Sequence, residues 1–207
     1  MGKKVGTHNR FREKWHCFKY LASLSGGRHL RHTAKTNRAR GFGMKMELVS
    51  VEGWRDGIKC VPTALCAISG MPANDILMVL GLAGAPNHLG LADAYDMNHW
   101  LEAVRFLGGV PTKVTDNSPL DYAQRPTIDE FMASQRGTGL HLAVGANEQN
   151  TDTHVFAVDG NDVVDTYTGG DRIRFNGAPD DYNAFRVKYV FAISADSPPA
   201  DDEKDTE

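Results

Sequence analysis

Asp56-Gly57-Ile58-Lys59-Cys60-Val61-Pro62-Thr63-Ala64-Leu65 is the stretch on which the reading of this chain turns. Pro62 has no N–H, so it fits best in the first turn of a helix, where that donor has no intrahelical partner. The apolar run VPTALCAIS, Val61 to Ser69, therefore predicts a short helix closed by Gly70. Cys60 then sits at the helix N-terminus, where the helix dipole favours a thiolate over a thiol. Lys59 adds positive charge beside it. Cys66, six residues on, falls inside the apolar run and reads as a small buried hydrophobe.

A histidine and an acid lie far downstream in the order that a nucleophilic thiol site uses. His154 opens the run HVFAV, the turn Asp159-Gly160-Asn161 follows, and DVVDT comes next. Asp-Gly between two apolar runs is a strong hairpin signal. It predicts His154 on one strand and Asp165 on the next, with the acid beside the imidazole to fix its tautomer. His141 also starts a β segment and is the rival base. His154 is preferred because its hairpin supplies a nearby acid and that of His141 does not. Taken singly, each residue has a plainer reading: a Cys in an apolar helix is usually core, and a His beside a strand is usually half-exposed. The combination is what points to catalysis.

Around this nucleus the chain reads as three parts. Residues 1–46 hold 12 Lys and Arg against one acid, Glu13, whereas the remainder holds 11 basic and 25 acidic groups. The overall charge of −3 thus conceals a +11 arm and a −14 body. Residues 1–45 read as a basic, flexible arm. FREKWHCFKYLASL, with Phe11, Trp15, Phe18 and Ala22 at helical spacing, predicts one amphipathic helix in it. Lys/Arg clusters release counterions on phosphates, and Phe11, Trp15 and Tyr20 are placed to stack on bases. Weak binding to nucleic acid or another polyanion is the expected partner property. The competing reading is a solvated tail, or an arm laid against the acidic body. Residues 196–207, acidic and Pro-containing, read as disordered.

The body, residues 46–195, shows helical patterns first and strand patterns later. Pro72 starts PANDILMVLGL, which ends near Gly81. ADAYDMNHWLEAVRFLGG follows, with Met97, Leu101, Val104 and Leu107 on one face and His99 and Trp100 as packing residues. VPTKV is a strand. Thr127-x-x-Glu130 is a capping box for the helix IDEFMASQ. LHLAVG, HVFAV, DVVDT and FRVKYVFAIS supply further strands. That order indicates an α+β fold. The loop NEQNTDT before His154 is placed to border a substrate cleft.

DGIKCVPTALCAISG resembles the nucleophile helix of papain-like cysteine peptidases, above all the small bacteriocin-processing type with its Cys-Gly-Pro-Thr-Ala-Leu pattern. Over residues 50–170 the chain is also similar to phage and prophage proteins of that superfamily. The resemblance implies a papain-like α+β fold, with the nucleophile helix packed on a C-terminal antiparallel sheet. It implies Cys60 as nucleophile, His154 as base and Asp165 as its orienter, in a thiol hydrolase acting on a peptide or amide without a cofactor. Two positions depart from the pattern. Val61 replaces the Gly after the nucleophile, and Trp54 stands where the oxyanion-stabilising Gln is found, with no Gln between Met46 and Cys60. The Cys60 N–H and the Trp54 indole N–H are the substitute donors; loss of activity is the alternative, leaving a papain-like scaffold that binds through its arm. Transfer or deamidation would use the same triad.

The remaining features bound the setting. At 207 residues and 41% hydrophobic, the chain has the makings of one domain with a proper core. Its N-terminus lacks a signal-peptide apolar region, and Gly6 stands where myristoylation needs Ser or Thr. Cys17, Cys60 and Cys66 form no disulfide framework and no Cys-x-x-Cys zinc motif. These features point to a reduced, cytosolic compartment (a host cytoplasm or a virion if phage-encoded) in which a thiol nucleophile stays usable.

Overall fold

Eight consecutive residues of the first described helix, Val61 to Ile68, are buried, so it is a core helix with no solvent face. The computed structural model describes residues 46–85, 96–134 and 139–195. The basic arm with its amphipathic helix, and the acidic tail, lie outside the described residues. Helix α1 spans Cys60–Ser69, and Gly70 ends it in the left-handed region at φ 66°, donating its N–H to Cys66 O. Pro72 is the N-cap of α2, Ala73–Leu82; this helix runs through Gly81 rather than stopping there, and Gly84 at φ 95° lies beyond it. Asp96 caps α3, Met97–Phe106, by accepting the Asn98 N–H at 2.9 Å. In α3, Trp100 meets Phe191 edge-on at 5.3 Å.

The Thr127–Glu130 capping box forms in both directions at the start of α4, Ile128–Ser134. The Thr127 N–H donates to Glu130 Oε2 at 2.7 Å, and the Glu130 N–H to Thr127 Oγ1 at 3.1 Å. The strands are β1 Gly109–Asp116, β2 Leu140–Ala146, β3 Thr153–Asp159, β4 Asp162–Val164, β5 Ile173–Arg174 and β6 Arg186–Ala195. They form one antiparallel sheet in the order β1-β6-β2-β3-β4-β5. Fold class α+β, read from helices first and strands later, is what the described residues show.

Both sheet faces are covered, which is why β2 and β3 read as apolar runs rather than as alternations. Leu142, Val144, Val155, Ala157 and Val164 face the core shared with α1, α2 and α3. Ala143, Phe156, Val158 and Val163 face a second core with Ile128, Phe131 and Met132 of α4. By strand alternation His154 belongs to the second face. Among the described residues no single helix is long and apolar enough to cross a membrane.

Candidate active site

The β3–β4 hairpin forms as the Asp-Gly signal predicts, with Asp159 opposite Asp162 and Gly160 at φ 59° in the two-residue loop. Asp165, however, is not in the second strand. β4 stops at Val164, and Asp165 begins a turn. The reason is local: Asp165 Oδ1 accepts the main-chain N–H groups of Tyr167 at 2.7 Å and Thr168 at 3.0 Å. A carboxylate that bonds the backbone two and three residues on curls the chain out of the ladder. Its other oxygen, Oδ2, is 3.2 Å from His154 Nε2. The acid is fully buried, and its carboxylate is held from both ends.

Early termination of β4 also opens the site. β4 pairs with β3 only from Ala157 to Asp159. Beyond that, at His154 and Val155, the edge of β3 is where Cys60 comes in from the N-terminus of α1. The sulfur takes a side-chain hydrogen bond from His154 and main-chain N–H bonds from Val155 and Val61. A helix on one sheet face and a histidine on the other thus meet at the open strand edge. With Nε2 engaged by Asp165, Nδ1 is the ring nitrogen left for sulfur.

The electrostatics follow from these contacts. Burial pushes the Cys60 thiol up, but the His154 hydrogen bond and charge and the two N–H groups outweigh it, so its pKa is lowered. Burial pushes His154 down, but the Asp165 and Cys60 hydrogen bonds and charges prevail and raise it to about 9. Each group favours the charged form of the other, which describes a thiolate–imidazolium pair. Cys66 has no such partners; burial, chiefly, pushes its thiol up to about 12.

His154 is enclosed by four rings. Tyr167, Tyr182, Phe185 and Phe156 stand 5.1, 5.3, 5.8 and 6.1 Å from it, centroid to centroid. Phe185 has room there because Gly145, the cross-strand partner of His154, has no Cβ; one built there would lie 3.1 Å from Phe185 Cβ. No local signal marks Tyr182 or Phe185, which lie well downstream of His154. Asp165-Thr166-Tyr167-Thr168-Gly169-Gly170, by contrast, carries a legible turn signature.

Trp54, the candidate oxyanion donor, has another partner. Its indole N–H donates to Thr63 Oγ1 at 3.3 Å, and Thr63 in turn donates to Lys59 O at 3.0 Å. The other side of the indole packs on the Asp165 turn: a Cβ at Gly170 would lie 2.6 Å from Trp54 Cγ. Trp54 therefore positions, linking the helix that carries Cys60 to the turn that carries Asp165. The strap before it does the same, Val49 N–H donating to Ala67 O and Val51 N–H to Gly170 O, both at 2.8 Å.

His141 is not near this site. It lies on β2 four residues from Gly145, the partner of His154, or roughly 13 Å along the strand. Its Nδ1 is 2.8 Å from Gly139 O. The loop NEQNTDT joins β2 to β3 at the His154 end, and there Asn147 Oδ1 accepts the N–H groups of Thr151 and Asp152. Comparison of the chain with protein-family models, curated proteins and solved structures gave no match.

Proposed function

We propose that this chain is a thiol hydrolase of papain-like design that cleaves a peptide or amide bond through an acyl-enzyme on Cys60. The observation that carries the reading is the unbroken contact chain Cys60–His154–Asp165 at a helix N-terminus, which lowers one thiol while its neighbour Cys66 is raised. In this reading the Cys60 thiolate attacks the carbonyl carbon. The His154 imidazolium gives its proton to the departing amine, and the neutral ring then takes a proton from the water that releases the acid. Asp165 holds the ring and offsets its charge.

The oxyanion falls to the main-chain N–H of Cys60, at the first residue of α1, with the dipole of that helix behind it. Trp54 is excluded from the role while its N–H is on Thr63. Loss of one such donor costs about 3 to 4 kcal/mol of transition-state stabilisation, so turnover is expected to be slow. That absent Gln is also what favours the second reading, a non-catalytic scaffold whose basic arm binds a polyanion.

A vinyl-sulfone or epoxide probe with a peptide-hydrolysis assay separates the two. Labelling at Cys60 that requires His154, with hydrolysis, supports the enzyme. Labelling without turnover of any peptide supports the scaffold. Labelling of Cys60 no faster than a free thiol defeats the reactive pair altogether.

A further inference from the structure

Arg125, between the short turn Tyr122–Gln124 and α4, is only 6% exposed, and among the described residues no carboxylate pairs with it. Its guanidinium spends its hydrogen bonds on neutral oxygens instead. Nε donates to Asn117 O and Leu120 O, and Nη1 to Asn150 Oδ1, all at 3.2 Å. A buried cation without an anion depends on each such acceptor, and a bond from a charged donor is roughly twice as strong as a neutral one. Asn150 belongs to the β2–β3 loop, residues 147–152, and holds a left-handed φ of 53°. Asn147 closes that loop on itself: its Oδ1 accepts the Thr151 and Asp152 N–H groups, and its Nδ2 donates to Thr151 Oγ1. Among the described residues, the bond from Arg125 is the loop's only hydrogen bond to another part of the chain. Thr153 alone separates the loop from His154.

We propose that Arg125 is a positioning residue for the Cys60 site: through Asn150 it holds the β2–β3 loop as the wall against which the leaving-amine side of a peptide substrate lies. The proposal rests on the thiol-hydrolase reading. Chemistry sets the side. His154 hands its proton to the departing amine, so the residues beyond the scissile bond pass the imidazole, and the loop ends one residue from it. Geometry sets the dependence. The internal bonds make the loop a stiff unit, and its ladder contacts end at Ala146 and Thr153. Without the bond from Arg125 it swings about those two residues. A wall that swings weakens binding of the peptide beyond the scissile bond. It leaves the Cys60–His154–Asp165 contacts in place, because none of them involves the loop.

Truncating Arg125 would unsettle three segments at once, so the test cuts the contact at its exposed end, on the full chain. Asn150→Gly keeps the left-handed φ and deletes Oδ1. Amide exchange across residues 147–152 should then run about tenfold faster, with Cys60 alkylated by iodoacetamide at the wild-type rate. Two substrates read the site: the decapeptide best cleaved from a randomised, internally quenched mixture, and its acyl half as an aminocoumarin amide, which has no residue beyond the scissile bond. KM for the decapeptide should rise about tenfold, and KM for the coumarin amide should stay as it is. Asn150→Asp keeps an acceptor facing Arg125 and accepts the same φ, so it should restore both the exchange rate and the decapeptide KM. Unchanged exchange in Asn150→Gly, or a KM that rises equally for both substrates, would overturn the proposal. Wild-type Cys60 alkylated no faster than a free thiol, with no decapeptide cleaved, defeats the thiol-hydrolase reading itself, and the role of the loop with it.

Discussion

Cys60 and Cys66 lie on the same ten-residue helix, six residues apart, and their chemistry is opposite. Cys66 is buried and Cys60 half-buried, and burial by itself pushes either thiol up. Cys66, in mid-helix, meets no imidazole; burial, with the negative charge of Asp75 adding to it, pushes its pKa up to about 12. Cys60, at the first residue, faces a strand edge that offers an imidazole and a free N–H, and its pKa falls. Burial therefore does not decide reactivity. What decides it is whether the buried sulfur has partners that stabilise its anion.

The sharpest way to break this contrast is alkylation near pH 6. A thiol with the ordinary pKa of about 8.5 is only about 0.3% ionised there, so Cys60 should outpace Cys66 by about 100-fold or more. His154→Ala should remove most of that lead. Peptide mapping by mass spectrometry after iodoacetamide reads both sites at once, and equal labelling would reduce Cys60 to a core residue.

Asp165→Asn tests the far end of the chain of contacts. The amide oxygen can still accept the Tyr167 and Thr168 N–H groups, so the turn should persist, but the charge that holds up the His154 pKa is lost. Hydrolysis should fall by about 10²- to 10⁴-fold, with an unchanged circular dichroism spectrum. A fall below tenfold would mean that Asp165 only shapes the loop.

The pH dependence has a definite sign. His154 binds its proton more tightly when folded, so its contribution to stability is full below its unfolded value of about 6.5 and is lost as pH rises through about 9. Cys60 works the other way: its contribution is present above its ordinary value and is lost as pH falls through the lowered one. The Cys60 alkylation rate should therefore rise at low pH to a plateau well before an ordinary thiol ionises. A single rise near pH 8.5 would contradict the pair.

Two substitutions sharpen the contrast with smaller effects. Gly170→Ala places a Cβ 2.6 Å from Trp54 Cγ at φ 75°, so it should destabilise by about 2 to 4 kcal/mol in urea unfolding and slow Cys60 alkylation by loosening the Asp165 turn. Cys66→Ala should cost only about 1 kcal/mol, from one lost buried sulfur, and leave the Cys60 rate unchanged. A changed rate would tie mid-helix packing to the site.

The sequence by itself determined the local parts of this protein. Pro62 and Gly70 bound the helix that carries Cys60, Asp-Gly placed the hairpin after His154, and Thr127 with Glu130 capped α4. Each is a signal within a few residues, acting through one missing N–H, one left-handed φ or one pair of side-chain bonds. Order along the chain, helices then strands, gave the α+β class. The tertiary structure alone decided what those parts do to one another. It ended β4 at Val164, because the Asp165 carboxylate turns back on its own backbone, and so left the edge of β3 open for Cys60. It gave the Trp54 N–H to Thr63, and it brought Tyr182 and Phe185 around His154 from well downstream. A side chain's hydrogen-bond partners and its water are set by which segments close on it in space. That is why Cys60 and Cys66, told apart in the sequence by their places at the start and in the middle of one helix, acquire their opposite shifts only once the helix is docked on the sheet.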